Sequence, residues 1–445
     1  MAPLRPALLA STSLLLALPA SAADLLQTYR EALANDAVYS SARAARDAGL
    51  EAIPQGRAQI LPVVNATAFT QDNRLNLSFR GAAPDQTRTG NTNGYTVTLT
   101  QPLFNWQSYQ LYKEAEFKAA QAEATFGQAT QDLIVRVAQA YFDVLASQDG
   151  LAFIRAQKAA ISEQLAQAKR NFEVGTATIT DTHEAQARFD LASSQEIAAQ
   201  SDLEIKKRTL QQIVGKYPEQ VVPLKPSIQL NAPMPESMEE WASAAESRNF
   251  PVLAQQANVE VAQREIDRSR AGHLPSLNLV GSAGRSNNGL STLGATNQPF
   301  DSTTGNVSLQ LSVPLYAGGN VNSLVRQSIA NRDKAQQDLE SARRSAALSA
   351  RQSYLGVTNG MAQVKALEAA LVSSQSALDS NKLGYEVGVR INIDVLNAQQ
   401  QVFSTLRDLS VARYNTILNG FKLKAAAGSL TESDVEEVNR LLGTP

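Results

Sequence analysis

The amino-acid sequence predicts a mainly α-helical chain with a transmembrane β-barrel built from shared strands, and three observations carry that prediction. Most of the chain is one pattern written twice. Two proline-free stretches of helical periodicity are far longer than a globular core requires. Two shorter segments next to them alternate apolar and polar residues, and the partners of those two do so less cleanly.

In chain order, the first element is an export label. Arg5 precedes an apolar run, Ala7 to Leu18, then Pro19 and the small-residue motif Ala20-Ser21-Ala22, the order of a secretory signal. The run is too short for a membrane anchor, which needs about 20 residues. The mature chain is therefore expected to begin at Ala23. No later stretch reads as a transmembrane helix. That leaves a periplasmic protein, a secreted protein or an outer-membrane β-barrel.

The duplication comes next. Glu173-Val174-Gly175 recurs as Glu386-Val387-Gly388, an offset of 213 (387 minus 174). The same offset pairs Leu61-Pro62 with Leu274-Pro275, Tyr141 with Tyr354, Asp181 with Asp394, Ala185-Gln186 with Ala398-Gln399 and Gly215 with Gly428. These landmarks divide the chain into a signal peptide at 1–22, a first repeat at 23–217 and a proline-rich linker at 218–235. A second repeat follows at 236–430, with a C-terminal helix and tail at 431–445.

Each repeat reads as a helix, a strand pair, a very long helix, a break and another helix. Ile134, Val137, Tyr141 and Val144 recur at helical spacing, as do Ile161, Leu165, Ala168 and Phe172. Val364, Leu367, Leu371, Ser374 and Leu378 repeat the pattern in the second half. From Trp106 to Glu173, and from Asn320 to Glu386, no proline interrupts, so each helix extends on the order of 100 Å at 1.5 Å per residue. Such helices require coiled-coil neighbours, and their many alanines allow close approach. Val174-Gly175-Thr176 and Val387-Gly388-Val389 are helix stops with glycine just past the end. Asp181 and Glu184 have the spacing of an N-terminal capping box for the restart. The long elements therefore fold back as antiparallel hairpins.

The strands complete each repeat. Tyr95, Val97 and Leu99 alternate with Thr96, Thr98 and Thr100, and Val307 to Val313 alternate with Ser308, Gln310 and Ser312. Each run is expected to end at a proline, Pro102 or Pro314, with partners at Val63 to Gln71 and Ser276 to Arg285. About ten residues with one apolar face match a tilted membrane crossing. A soluble two-sided sheet is the alternative reading. Four strands cannot close a membrane barrel, for which about eight is the minimum, so spanning strands require a shared barrel. Three copies would supply twelve.

Composition narrows the function. Lys plus Arg is 40 against 42 Asp plus Glu, so there is no basic field and no nucleic-acid partner is expected. Cys is 0 and only His183 and His273 are present, which excludes disulfides, thiolate metal sites and a multi-histidine centre. The two histidines lie in unrelated pattern positions and form no nucleophile–base pair, so neither an enzyme nor a cofactor is expected. A soluble periplasmic coiled-coil adaptor or scaffold is the rival reading. It would need one hairpin and a separate β-rich module, whereas this chain interleaves two equivalent hairpins with strand pairs.

Together, the duplication, Gly272-His273-Leu274-Pro275, Pro314-Leu315-Tyr316-Ala317-Gly318-Gly319 and the paired Val-Gly breaks before Thr180-Asp181 and Ile393-Asp394 resemble the TolC family of outer-membrane efflux and secretion channels. The resemblance spans essentially all of the mature chain. It implies a homotrimer: a twelve-stranded barrel in the outer membrane of a Gram-negative bacterium, continued by a barrel of helices that crosses the periplasm to a closed tip. It also implies a passive exit duct for a tripartite efflux or type I secretion system. The implied partners are outer-membrane lipid, a periplasmic adaptor and an inner-membrane ABC or RND-type transporter. The absence of cysteine fits the secretion-type branch rather than the lipid-anchored one.

By the same resemblance, Tyr385 and Arg390 of the inner hairpin are expected to bond Thr180 and Asp181 of the outer hairpin and hold the tip shut. Asp394 fits the first of two acidic constriction rings. Asn397 takes the second position, where an aspartate is common, and position i+3 puts both on one helix face. The adaptor is expected to contact the hairpin turns at Val174, Gly175, Val387 and Gly388.

Overall fold

The computed structural model describes residues 23–78, 80–81, 84–176, 178–289 and 298–443. The expected signal peptide, 1–22, lies outside the described residues. Three short helices open the chain: α1 (Leu25–Asn35), α2 (Ala37–Leu50) and α3 (Ala52–Ala58). Strands β1 (Val63–Leu77) and β2 (Gln86–Phe104) lead into α4 (Trp106–Glu173) and α5 (Ile179–Val214). The second repeat runs through α6 (Met238–Arg248), α7 (Phe250–Arg270), β3 (Ser276–Asn288), β4 (Phe300–Ser312), α8 (Asn320–Glu386) and α9 (Asn392–Ala426). Helix α10 (Glu432–Asn439) follows. The single opening helix expected in each repeat is thus broken into shorter segments. Asp36 ends α1 and caps α2, its side chain accepting from the Tyr39 amide.

The two long helices span the stretches expected from the lack of proline, at 68 and 67 residues. Both stop at a glycine in the left-handed region, Gly175 at φ 76° and Gly388 at φ 77°. Thr176 N–H donates to Asn171 O and Val389 N–H to Gly384 O, each at 2.8 Å, the closing bond of a Schellman turn. The duplication therefore reaches individual hydrogen bonds. Tyr141 OH donates to Ala23 O at 3.3 Å, and its counterpart Tyr354 donates to Glu236 O at 2.7 Å, each reaching back 118 residues.

The sheet is antiparallel in the order β1-β2-β3-β4, so β2 and β3 join the repeats at its centre. The strands exceed the expected spans. Register places Val307, Gly281, Leu99 and Val64 in one row across the sheet, and Gly305, Ala283, Val97 and Ala66 in the next. Two rows further along, the same face carries Asp301, Asn287, Asn93 and Thr70. The apolar band ends there, while backbone pairing continues past it. The other correction concerns Pro102, which does not end β2: the strand runs on to Phe104 through a register shift. A bulge accommodates the missing N–H without breaking the strand.

The main core lies where the helices meet midway. Tyr141 and Phe142 on α4 pack edge to face at 5.8 Å, and Phe142 stacks on Tyr414 of α9 at 5.5 Å. Leu25, Leu133, Leu145, Leu210 and Val222 close around them. Toward the hairpin turns the contacts thin to small clusters, such as Leu165, Ala168 and Ala185.

Candidate functional site at the hairpin tips

All ten residues singled out from the sequence lie at one end of the molecule. Helices α4 and α8 end side by side there, because Asn171 Nδ2 donates to Tyr385 OH at 3.1 Å across the two hairpins. Val174, Val387 and Val389 are exposed beside the two glycines, so the turns present apolar side chains to solvent.

Asp181 has a different local role from the one its spacing suggested. It does not cap α5 or pair with Glu184. Thr178 is the cap, and Asp181 is the third helical residue, whose Oδ2 accepts from Thr178 N–H at 3.0 Å and Thr178 Oγ1 at 2.9 Å. A capping box satisfies two amides at once, and Thr178 supplies the hydroxyl that it favours. Thr180 follows in the exposed first turn.

Arg390 Nη1 stands 3.7 Å from Asp394 Oδ2, one turn on, with both side chains substantially exposed. Such a pair contributes under about 1 kcal/mol. Within one protomer, therefore, Tyr385 meets Asn171, Arg390 meets Asp394 and Asp181 meets Thr178. The cross-hairpin contacts that sequence reasoning missed are Asn171 and Arg188. Arg188 Nη2 donates to Asn397 Oδ1 at 3.0 Å and Nη1 to Gln400 Oε1 at 2.8 Å. The available signals were an asparagine four residues before Gly175 and an arginine two turns after Asp181 on the same face.

Packing at this end is spare. Leu378, Val395 and Val402 pair α8 with α9, and Ile161, Ala192 and Leu396 join α4, α5 and α9. Asn392, in the first turn of α9, is buried, yet neither its Oδ1 nor its Nδ2 finds a partner among the described residues of the protomer. A buried amide left unpaired costs about 1–3 kcal/mol.

Further up, Tyr414 OH donates to Asp149 at 2.7 Å, tying α9 to α4. Burial raises the Asp149 carboxyl above the usual range, despite hydrogen bonds from Tyr414 and Ser410. At the base, Arg136 forks onto both oxygens of buried Asp36 at 3.0 and 3.1 Å. Burial alone would raise this carboxyl; the Arg136 bond and the Tyr39 amide outweigh it and hold it below the ordinary value.

The opposite end defines the class. Among the described residues both sheet edges, β1 and β4, are unpaired in the protomer, and β4 exposes Val307, Leu309 and Leu311. Backbone groups cannot stay unpaired in lipid, so these edges require neighbouring copies. A lipid-facing sheet shared between protomers, continued by two helices about 100 Å long that turn back as hairpins, is the architecture of an outer-membrane channel that spans the periplasm.

The sequence profile described as "Outer membrane efflux protein" matches residues 28–216 and again 241–429, and the chain belongs to that family. It is 36% identical over 424 residues to outer membrane protein TolC of Vibrio cholerae, covering 94% of this chain and 93% of that one. It is 33% identical over 440 residues to alkaline protease secretion protein AprF of Pseudomonas aeruginosa, covering 96% and 88%. Among solved structures, the Campylobacter jejuni CmeC outer membrane channel superposes with a TM-score of 0.79 at 17% identity, covering 94% of this chain and 90% of that one.

The protein is an outer-membrane efflux or type I secretion channel of a Gram-negative bacterium. Three copies supply the twelve strands of one barrel, and the trimer works with a periplasmic adaptor and an inner-membrane transporter. Its family is one of channels rather than enzymes, and nothing supports the soluble-adaptor reading.

Proposed function

We propose that this trimer is the exit duct of a type I protein secretion system, held shut at its periplasmic tip by side-chain bonds between hairpins. The cargo reading rests on the relative named for alkaline protease secretion, which the chain matches almost end to end. An ABC-type transporter is the corresponding energised partner, and outer-membrane lipid surrounds the barrel. The exposed Val174-Gly175 and Val387-Gly388 turns are the adaptor's contact points. The repeat boundaries at 23–217 and 236–430 make each repeat one sheet half plus one hairpin.

One observation carries the gate reading: toward the tip the two hairpins touch through polar side chains, Asn171 bonded to Tyr385 and Arg188 to Asn397 and Gln400, over a small apolar contact of Ile161, Ala192 and Leu396. Each such bond is worth about 1 kcal/mol, so several hold the tip and an adaptor can release them. In the trimer, Arg390 can exchange Asp394 for Thr180 and Asp181 of an adjacent hairpin. Asp394 is the acidic ring at the constriction.

The test is single-channel conductance of the full trimer in planar bilayers. Tyr385→Phe with Arg390→Ser removes cross-hairpin bonds and leaves the apolar seams, so conductance rises severalfold while the trimer's thermal stability holds. Losing Arg390 also strips the counter-charge from Asp394, so cation selectivity increases. Unaltered conductance in the double variant sinks the gate reading.

A further inference from the structure

Arg188 projects from α5 across the groove between the hairpins of one protomer. It places one planar guanidinium on two acceptors of α9, Asn397 at 3.0 Å and Gln400 at 2.8 Å. Those acceptors lie three residues apart, on one helix face, one turn and two turns beyond Asp394. A rigid fork suits that spacing and a lysine ammonium does not. Phe189, next to it in the chain, packs with Ala192, Ile161 and Leu396 where α5, α4 and α9 meet, so Arg188 sits beside an apolar junction of the two hairpins. Both acceptors are neutral amides, and neither cancels its charge.

We propose that Arg188 is a cross-hairpin latch and the residue that sets the charge of the constriction at the level of Asn397. The inference rests on the reading of the tip as a gate. At this level the trimer presents three guanidinium groups, one turn from the three Asp394 carboxylates. The tip therefore carries a basic ring beside an acidic one, where two acidic rings would otherwise stand. Multivalent cations meet attraction at Asp394 and repulsion immediately after it. Asn397 is then a ligand of the latch, and a carboxylate introduced there pairs with Arg188 before it attracts a passing cation.

Planar-bilayer recordings of the full trimer, with hexamminecobalt(III) as the blocking cation, test this. Arg188→Ala removes two bonds per protomer and raises the open-to-closed ratio by about threefold or more. It also tightens the cation block. Arg188→Gln keeps one donor and loses the charge, so the block tightens with a smaller change in conductance. Asn397→Asp tightens the block by about tenfold more in the Arg188→Ala background than in the native one, because only there is the added charge unpaired.

An Arg188→Ala channel with native conductance and native block overturns the proposal. So does an equal effect of Asn397→Asp in both backgrounds. If the Tyr385→Phe, Arg390→Ser channel opens and Arg188→Ala does not, the latch fails and the gate reading stands. If only Arg188→Ala opens the channel, the latch stands and the gate reading through Tyr385 and Arg390 fails.

Discussion

The two repeats share a backbone and differ in how deeply their long helices α4 and α8 are buried. In the first, α4 buries Ile134, Val137, Ala138, Phe142 and Leu145 in the main core. At the same positions α8 carries Ala347, Ala350, Arg351, Leu355 and Thr358. Phe142 is 1% exposed, whereas its counterpart Leu355 is 47% exposed. The capping positions diverge in the same way. Asp36 caps α2 and is clamped by Arg136, while its counterpart Asn249 makes no side-chain cap and donates instead to Ala426 O at 2.9 Å. Ser349 stands where the first repeat has Arg136. The first repeat enters that core through its long helix α4, whereas the second enters it through α9, with Tyr414, Ile417, Leu418 and Phe421. Duplication supplied two equal backbones, and side-chain divergence buried only one of the two long helices in the main core.

The largest expected effect sharpens this contrast. Phe142→Ala should destabilise the protomer by about 3–5 kcal/mol, by leaving a cavity between Tyr141 and Tyr414. Leu355→Ala should cost under about 1 kcal/mol, since that side chain is half in solvent. Denaturant melts of the detergent-solubilised trimer measure both. Equal losses would break the comparison and mean that neighbouring protomers anchor the second repeat.

Next in size is the Asp36–Arg136 clamp. Asp36→Ala removes the forked partner of Arg136 and uncaps α2, for a loss of about 2–4 kcal/mol. The pH dependence follows from the direction of the shift. Because the folded carboxyl titrates below its ordinary value, its contribution is complete above about pH 4 and disappears as pH falls through the folded value. Melting temperature against pH should therefore fall less steeply in acid for Asp36→Ala than for the native chain. A parallel slope would show that the clamp is not the group responsible.

The smallest effect concerns the tie between the repeats. Tyr414→Phe deletes the hydroxyl that donates to half-buried Asp149 and should cost about 1–3 kcal/mol. The sign here is opposite to that at Asp36. A carboxyl raised by burial loses stability as pH climbs through its folded value, so the variant's deficit should shrink when pH is lowered through that raised value. Stability against pH for the two variants distinguishes a clamped carboxylate from a merely buried carboxyl.

Local physics made much of this molecule readable. The helix limits at Glu173 and Glu386 follow from glycines that alone tolerate positive φ, and the absence of proline fixes what lies between. Alternation in Tyr95 to Leu99 fixed the two faces of a strand, because side chains alternate with a period of two whatever the strand pairs with. What the sequence determined by itself was therefore whatever one segment decides alone: the duplication, the hairpins, the apolar faces and the turns that expose Val174 and Val387.

Only the tertiary structure decided which side chains meet between segments. Asn171 finds Tyr385, and Arg188 finds Asn397 and Gln400, through the rotation and axial offset of helices whose contact residues are distant in the chain. A one-residue change in that offset would turn a different side chain into the groove, since successive residues on a helix point about 100° apart. Strand length past the apolar band, and the bulge that carries β2 through Pro102, were set in the same way by the partner strands. The channel's shape is thus encoded locally, and the bonds across its tip depend on how two nearly identical hairpins come to rest against each other.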